Sequence, residues 1–196
     1  MENVRALAQA YLQPVVLLFA RLLVRLRISP NQVTVAGLLF AIFSASMVTL
    51  GFHMAAGIIF LFGSALDLLD GALARLEGRM TALGAFLDST LDRVGEGAMF
   101  AVIAHHFALC GDASAVSAVV LAMLGGMLTS YTRARAETLG LSCRSGWASR
   151  PERVLIVSSG LMFDLLRVMV YLLAAVTLWT AAQRVFYVYK ELRRRA

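Results

Sequence analysis

The sequence predicts an all-α integral membrane protein with six transmembrane helices preceded by an N-terminal interfacial amphipathic helix. Apolar residues occupy 60% of the 196 positions and charged residues only 15%, whereas soluble domains usually have about 45–50% apolar and about 25% charged residues. Six spans of about 20 residues would use about 120 positions and leave short loops. This composition argues against a water-soluble enzyme, a disordered chain and, with only two cysteines, a disulfide scaffold.

The first element is the segment from residue 5 to residue 27, where a short apolar run surrounds Pro14 and ends in three arginines. This pattern predicts a helix that lies on the cytosolic leaflet, within an interfacial segment 1–28. A cleaved signal peptide is the alternative, but no small-residue cleavage site follows the apolar run.

The six spans are predicted from the apolar runs that follow. The first begins after Ser29-Pro30-Asn31, which is a turn and helix-cap pattern. We expect one six-helix body, 29–196, and a single domain, 1–196. The predicted spans are 33–53, 54–74, 81–107, 113–137, 152–163 and 168–189.

The distribution of basic residues predicts the orientation. Arginines cluster near both termini, around 75–79 and between 133 and 153, and only Arg167 lies in a turn on the other side. By the positive-inside rule, both termini and the basic loops face the cytosol of a multi-pass protein in the cell (inner) membrane. The net charge of +6 therefore indicates contact with membrane lipids and not a nucleic-acid surface. Cys110 and Cys143 fall on opposite sides and are expected to be free thiols.

Four acidic residues occur where two of the spans should be apolar. Asp67 and Asp70 lie near the end of the second span, and Asp88 and Asp92 in the cytosolic part of the third. Spacings of three and four place each pair on one helical face, so the four carboxylates converge if the helices are neighbours. A bound divalent cation would offset their burial and their mutual repulsion. Oxygen ligands favour Mg²⁺, with Mn²⁺ or Ca²⁺ as substitutes.

The residues around these acids suit phosphate chemistry. Gly71, Ala74 and Gly84 leave room for a ligand, and Arg75 adds a planar cation. A metal and an arginine neutralise phosphate oxygens, and a spare carboxylate accepts a proton from an attacking hydroxyl. A buried ion-pair network is one alternative. A divalent-cation transporter is another, disfavoured because the outer halves of spans two to four are almost wholly apolar.

Eight residues fit the spaced pattern D-x-x-D-G-x-x-A-R-x8-G-x3-D-x3-D without a gap, and in this the chain resembles the CDP-alcohol phosphotransferase (phosphatidyltransferase) family. The resemblance implies a six-helix transferase, usually homodimeric, in which a hydroxyl attacks the β-phosphorus of a CDP-linked lipid and CMP is released. It assigns Asp92 as the catalytic base. It also implies metal ligation by Asp67, Asp70, Asp88 and Asp92, and CDP binding by Asp67, Gly71, Ala74 and Arg75.

A second segment, Ser29 to Gly37, is similar to the family pattern S-P-N-x-x-T-x-x-G. Taken alone, it is a helix cap followed by a small-residue contact. Beside the main pattern, it places Asn31 and Thr34 near the CDP group.

The acceptor is predicted from a basic cluster formed by Arg133, Arg150 and Arg153. Three cations at the cytosolic mouth of the acid site would suit a phosphorylated polyol, although positive-inside topology and anionic lipid explain them equally well. The surrounding segments resemble those of prokaryotic phosphatidylinositol-phosphate synthases, with Arg133 in place of a lysine and Ser149 in place of a glutamate. The resemblance favours inositol phosphate as acceptor and CDP-diacylglycerol as donor. A phosphatidylglycerophosphate synthase, with glycerol phosphate as acceptor, is the alternative.

Overall fold

The computed structural model describes residues 2–143 and 146–195, with side chains from residue 13 onward, and this part of the chain forms seven α-helices and no strand. The end residues of the predicted domain 1–196 lie outside the described residues. The helices are α1 (Glu2–Arg25), α2 (Pro30–Thr49), α3 (His53–Leu76), α4 (Ala82–Leu109), α5 (Ala113–Thr138), α6 (Arg150–Met162) and α7 (Leu166–Arg195).

Each segment predicted to be helical is helical, and most ends agree within a few residues. α2 begins at Pro30 because Ser29 caps it: the Gln32 N–H donates to Ser29 Oγ at 3.4 Å, and the Ser29 N–H donates to Gln32 Oε1 at 2.8 Å. Proline at the first helical position lacks only an N–H that would have no helical partner. The turn pattern therefore fixes the start of the first predicted span.

Four of the described helices, α2, α3, α5 and α7, are long and apolar enough to cross a membrane. α4 has 28 residues but carries four charged side chains within its first fifteen, and α6 has only 13 residues. The chain is therefore a helical membrane protein with four candidate spans among its described residues. That α4 and α6 also cross the membrane stays a prediction.

The chain forms two compact units. The first comprises the chain up to Ile42 together with Phe62–Glu96. Within it, α2 packs closely on α3 and α4: a Cβ added at Gly63 would lie 2.7 Å from the Phe40 Cβ, and one added at Gly95 would lie 3.0 Å from the Ala41 Cβ. The two glycines let α2 lie against both helices that carry the acidic pattern.

The second unit comprises Phe43–Leu61 and the chain from Gly97 onward. α5 and α7 are joined there by buried polar contacts: Thr129 Oγ1 donates to the Thr177 carbonyl at 3.4 Å, and Arg184 Nη1 donates to the Thr129 carbonyl at 2.7 Å. A Cβ at Gly125 would overlap Thr177 Oγ1 and lie 2.8 Å from a backbone nitrogen of α7. Glycine is thus required for this helix contact.

The loop that precedes α6 is tied into the second unit through Ala148, which is fully buried. Its N–H donates to Thr180 Oγ1 at 3.0 Å, and its carbonyl accepts from Arg153 Nη1 at 3.2 Å. Both backbone groups are therefore satisfied inside the protein. Cys143, in the same loop, is buried and Cys110 is exposed, and neither forms a disulfide within the described residues, as the sequence predicts.

Candidate active site

The acidic side chains of α3 and α4 meet in the first unit. One carboxylate oxygen from each of Asp67, Asp70 and Asp88 lies within 4.8 Å of the other two. Asp70 is buried and the other two are half-buried. The convergence predicted from the spacing is thus confirmed for these three acids. Asp92 lies on α4 one turn beyond Asp88 and is outside this trio.

α2 contributes a third side to the acid cluster. Thr34, which is buried, donates a hydrogen bond from Oγ1 to Asp70 Oδ2 at 2.7 Å. One turn further along, a Cβ at Gly37 would lie 3.3 Å from Asp67 Oδ1. The S-P-N-x-x-T-x-x-G segment therefore lies against the main acidic pattern, and its threonine contacts a carboxylate.

A cavity of about 610 Å³ opens beside Asp70 and Asp88. Its walls combine backbone and polar groups from the start of α2, the end of α3, the α3–α4 loop and the start of α4. The predicted residues in its lining are Asn31, Thr34, Asp70, Gly71, Ala74, Arg75, Gly84 and Asp88. Most of the residues assigned to the metal and to the nucleotide therefore share one cavity.

Arg75 lies over the small residue that precedes it by one turn. A Cβ at Gly71 would be 3.5 Å from Arg75 Nη1, so the guanidinium covers the glycine without overlap. The side chain is exposed, as a cation that receives a phosphate from solvent or lipid would be. One positive group therefore lines the same cavity as Asp70 and Asp88.

The cavity also contains residues that the sequence analysis did not single out. Thr81 caps α4, because the Gly84 N–H donates to Thr81 Oγ1 at 3.0 Å, and Thr81 also lines the cavity. Arg79 lines it from the loop and lies 3.5 Å from Glu77. A threonine three residues before a helical glycine is a recognisable cap, but its place in the cavity depends on the path of the loop.

The three predicted acceptor arginines belong to the second unit. Arg133 is exposed and its Nε lies 2.9 Å from Glu137 Oε1, one turn further along α5. Arg150 is the first residue of α6 and is half-buried. Arg153 is 1% exposed and bonds the Ala148 carbonyl. Their role toward an acceptor stays a prediction.

The donor set of the acid cluster fits a hard divalent cation. It consists of carboxylate oxygens from two residues of α3 and one of α4, close enough to approach one ion, and neither histidine nor cysteine belongs to it. Mg²⁺ and Mn²⁺ accept such ligands, and each would offset most of the negative charge that three neighbouring carboxylates concentrate.

Comparison with known proteins agrees with this geometry. Residues 27–186 match the family model described as CDP-alcohol phosphatidyltransferase. The chain is 36% identical over 171 residues to archaetidylinositol phosphate synthase of Pyrococcus horikoshii, covering 87% of this chain and 88% of that protein. It is 37% identical over 175 residues to phosphatidylinositol phosphate synthase of Mycobacteroides abscessus, covering 84% and 79%.

The fold is also that of a solved enzyme. The crystal structure of Mycobacterium tuberculosis phosphatidylinositol phosphate synthase with CDP-DAG bound superposes with a TM-score of 0.82 at 32% identity, covering 90% of this chain and 94% of that one. A second crystal structure of that enzyme, in complex with manganese and citrate, gives the same TM-score at 32% identity and covers 89% and 88%. The chain is a member of the CDP-alcohol phosphatidyltransferase family of membrane enzymes.

Proposed function

We propose that this enzyme transfers the phosphatidyl group of CDP-diacylglycerol to a hydroxyl of inositol phosphate and releases CMP. The observation that carries the proposal is the trio of carboxylates, with oxygens within 4.8 Å of one another, beside a cavity lined by Arg75. The relatives named for inositol phosphate products, and the solved relative with CDP-DAG bound, support the choice of substrates.

Asp67, Asp70 and Asp88 would hold a divalent ion, Mg²⁺ in the cell, with Asp92 as a further ligand. When bound, the ion would supply positive charge to the phosphate oxygens of the donor. The crystallised relative in complex with manganese supports a divalent ion here. Mn²⁺ is therefore the spectroscopic substitute of choice.

The nucleotide end of the donor would occupy the cavity. Asp67, Asn31 and the Gly71–Ala74 surface are assigned to the CDP group, and Thr34 would lie near it. The Arg75 guanidinium, which lines the same cavity, would contact the phosphates. Guanidinium groups bind phosphate oxygens through paired hydrogen bonds. These residues would fix the β-phosphorus relative to the carboxylates.

Asp92 is assigned as the general base. Its carboxylate would accept the proton of the acceptor hydroxyl while the hydroxyl oxygen forms a bond to the β-phosphorus. The bond from that phosphorus to the bridging oxygen breaks, and CMP leaves with the electron pair. Charge and atoms balance without another reactant.

The acceptor phosphate is assigned to Arg133, Arg150 and Arg153. Arg150 is the first residue of α6, and the Arg133 side chain is exposed. The combined positive charge of these three arginines would suit a dianionic acceptor better than a neutral polyol. Glycerol phosphate carries the same group, so its use would make the enzyme a phosphatidylglycerophosphate synthase.

The proposed setting is a homodimer in the cell (inner) membrane, with six spans per chain, α1 on the cytosolic leaflet and the active site cytosolic. All seven helices would form a single domain. α4 would be the span that carries the charges, because its Asp88 lies close enough to Asp67 and Asp70 of α3 to share a cation.

The test is an acceptor panel with purified full-length enzyme. CDP-diacylglycerol and Mg²⁺ are supplied with inositol phosphate, glycerol 3-phosphate, free inositol or serine, and CMP release is measured. We expect inositol phosphate to give the fastest release and Asp70→Asn to abolish it. Faster release with glycerol 3-phosphate would overturn the acceptor assignment. Mg²⁺ movement into proteoliposomes without CMP release would indicate a transporter.

A further inference from the structure

The contact between α2 and the carboxylates suggests a specific role for one threonine. Thr34 and Gly37 are three residues apart and lie on the same side of α2. Thr34 bonds Asp70, and Gly37 faces Asp67 so closely that a Cβ would lie 3.3 Å from its Oδ1. This side of α2 therefore shapes the positions of two carboxylates that the proposed function assigns to the metal.

The hydrogen bond from Thr34 has the features of a fixed, strong contact. Its hydroxyl oxygen lies 2.7 Å from Asp70 Oδ2 and 3.1 Å from the Pro30 carbonyl. A hydroxyl has one hydrogen, and a carboxylate at the shorter distance is the stronger acceptor. Both side chains are only 6% exposed, so water does not replace the bond at low cost.

We infer that Thr34 is a positioning residue: it fixes the Asp70 carboxylate as a metal ligand and acts on the nucleotide only through it. The inference rests on the proposed function for the presence of the metal. One bond to Oδ2 leaves Asp70 with further lone pairs, since a carboxylate has about four acceptor sites. Carboxylates that bind metals are oriented by such donors, and loss of the donor typically weakens metal binding or activity about 10–100-fold.

The experiment measures Mn²⁺ binding to the full-length protein in detergent by electron paramagnetic resonance, without lipid substrate. Thr34→Val removes the hydroxyl at nearly constant shape, and Thr34→Ser keeps it. We expect the Kd for Mn²⁺ to rise about 10–100-fold in Thr34→Val and to stay close to that of the unaltered chain in Thr34→Ser.

A matched control removes another buried hydroxyl from the same helix. Ser44 lies ten residues after Thr34 in the sequence, is fully buried and donates to the Ala56 carbonyl at 2.6 Å. Ser44→Ala should therefore lower the unfolding temperature without changing the Mn²⁺ affinity. Equal weakening of Mn²⁺ binding in Ser44→Ala and Thr34→Val would overturn the inference in favour of general helix packing.

A second measurement separates positioning from direct nucleotide contact. CMP binding is measured in the absence of metal, where a positioning residue should have little effect. Normal Mn²⁺ affinity with weakened CMP binding in Thr34→Val would make Thr34 a nucleotide contact and refute the inference. If Thr34→Val does not fold, Thr34→Ala removes the same hydroxyl without adding a methyl group and is measured in its place.

The Mn²⁺-binding test of Thr34 does not depend on which alcohol the enzyme uses as acceptor. Weak Mn²⁺ binding in Thr34→Val supports positioning even if no alcohol in the panel releases CMP, in which case only the proposed reaction is wrong. Conversely, CMP release with inositol phosphate and unchanged Mn²⁺ binding in Thr34→Val would leave the reaction intact and remove the role of Thr34.

Discussion

Asp88→Asn gives the sharpest test of a shared cation. Asp88 has an oxygen within 4.8 Å of one oxygen each from Asp67 and Asp70. Two unit charges at that distance interact by about 3.5 kcal/mol at an effective dielectric constant of about 20. Without metal, the substitution removes two such repulsions while keeping the side-chain shape. The variant should therefore be at least as resistant to heat as the unaltered chain.

With metal bound, the unaltered chain should instead have the higher unfolding temperature of the two proteins. An ion at 100 times its Kd stabilises the native state by about 2.7 kcal/mol, which is about 5–11 °C at about 2–4 °C per kcal/mol for a chain of this size. Loss of one negative ligand should weaken binding about 100-fold, because that factor corresponds to about 2.7 kcal/mol, less than one charge pair at this distance. The same Mn²⁺ concentration would then raise the unfolding temperature of Asp88→Asn by only about 1–2 °C.

The assay is thermal unfolding in detergent, with and without Mn²⁺, on three proteins: the unaltered chain, Asp88→Asn and the control Glu191→Gln. Glu191 lies 3.9 Å from the exposed Arg194 near the end of α7, and a surface pair at this distance contributes little to stability. In the control, Mn²⁺ should raise the unfolding temperature as much as it does in the unaltered chain. An increase of more than about 5 °C in the unfolding temperature of Asp88→Asn on addition of Mn²⁺ would refute the shared site.

Three further outcomes are expected. Gly125→Ala should destabilise the protein by about 1–3 kcal/mol, because the added methyl group overpacks against α7. The control Gly97→Ala should be neutral or slightly stabilising, because an added Cβ there meets nothing within 4 Å in the described residues. Chemical denaturation measures the free energy of unfolding of both variants. Asp112 caps α5, and hydrogen bonds from Ser114 and a backbone N–H hold the pKa of its carboxyl below the ordinary 3.8, so its stabilising effect is complete above that value and is lost as pH falls through the lower pKa. The difference in unfolding temperature between Asp112→Ala and the unaltered chain should accordingly be constant near neutrality and shrink in acid; a constant difference down to pH 2 would contradict this. Asp92→Asn should fold normally and lose turnover, measured as CMP release, and a wild-type rate would refute its role as base.

Most of the helical segments could be predicted because their ends carry local signals. Ser29-Pro30 starts α2, and Gly111 and Asp112 separate α4 from α5. α7 continues to Arg195, beyond the predicted end at 189, because the charged residues there contain no helix breaker. A basic tail is compatible with a helix C-terminus, so charge alone does not show where a helix stops.

The site was predictable only as far as spacing determines it. Asp67 and Asp70 share a face of α3 because their interval of three matches the helical repeat, and Asp88 joins them because α4 lies next to α3 there. The bond from Thr34 to Asp70 joins residues 36 positions apart, and it depends on how α2 crosses α3, which no local pattern encodes. Likewise, the burial of Arg153 depends on the loop around Ala148 folding onto α7.

The short α6 has a consequence for the lipid environment. Its 13 residues extend about 20 Å, whereas the hydrocarbon core of a bilayer is about 30 Å thick. Ala148, just before α6, satisfies both its backbone groups internally, so the backbone of this residue does not need head-group water. If α6 crosses, a thinner bilayer around it would reduce this mismatch in length, so short-chain lipids should suit this enzyme better than long-chain ones.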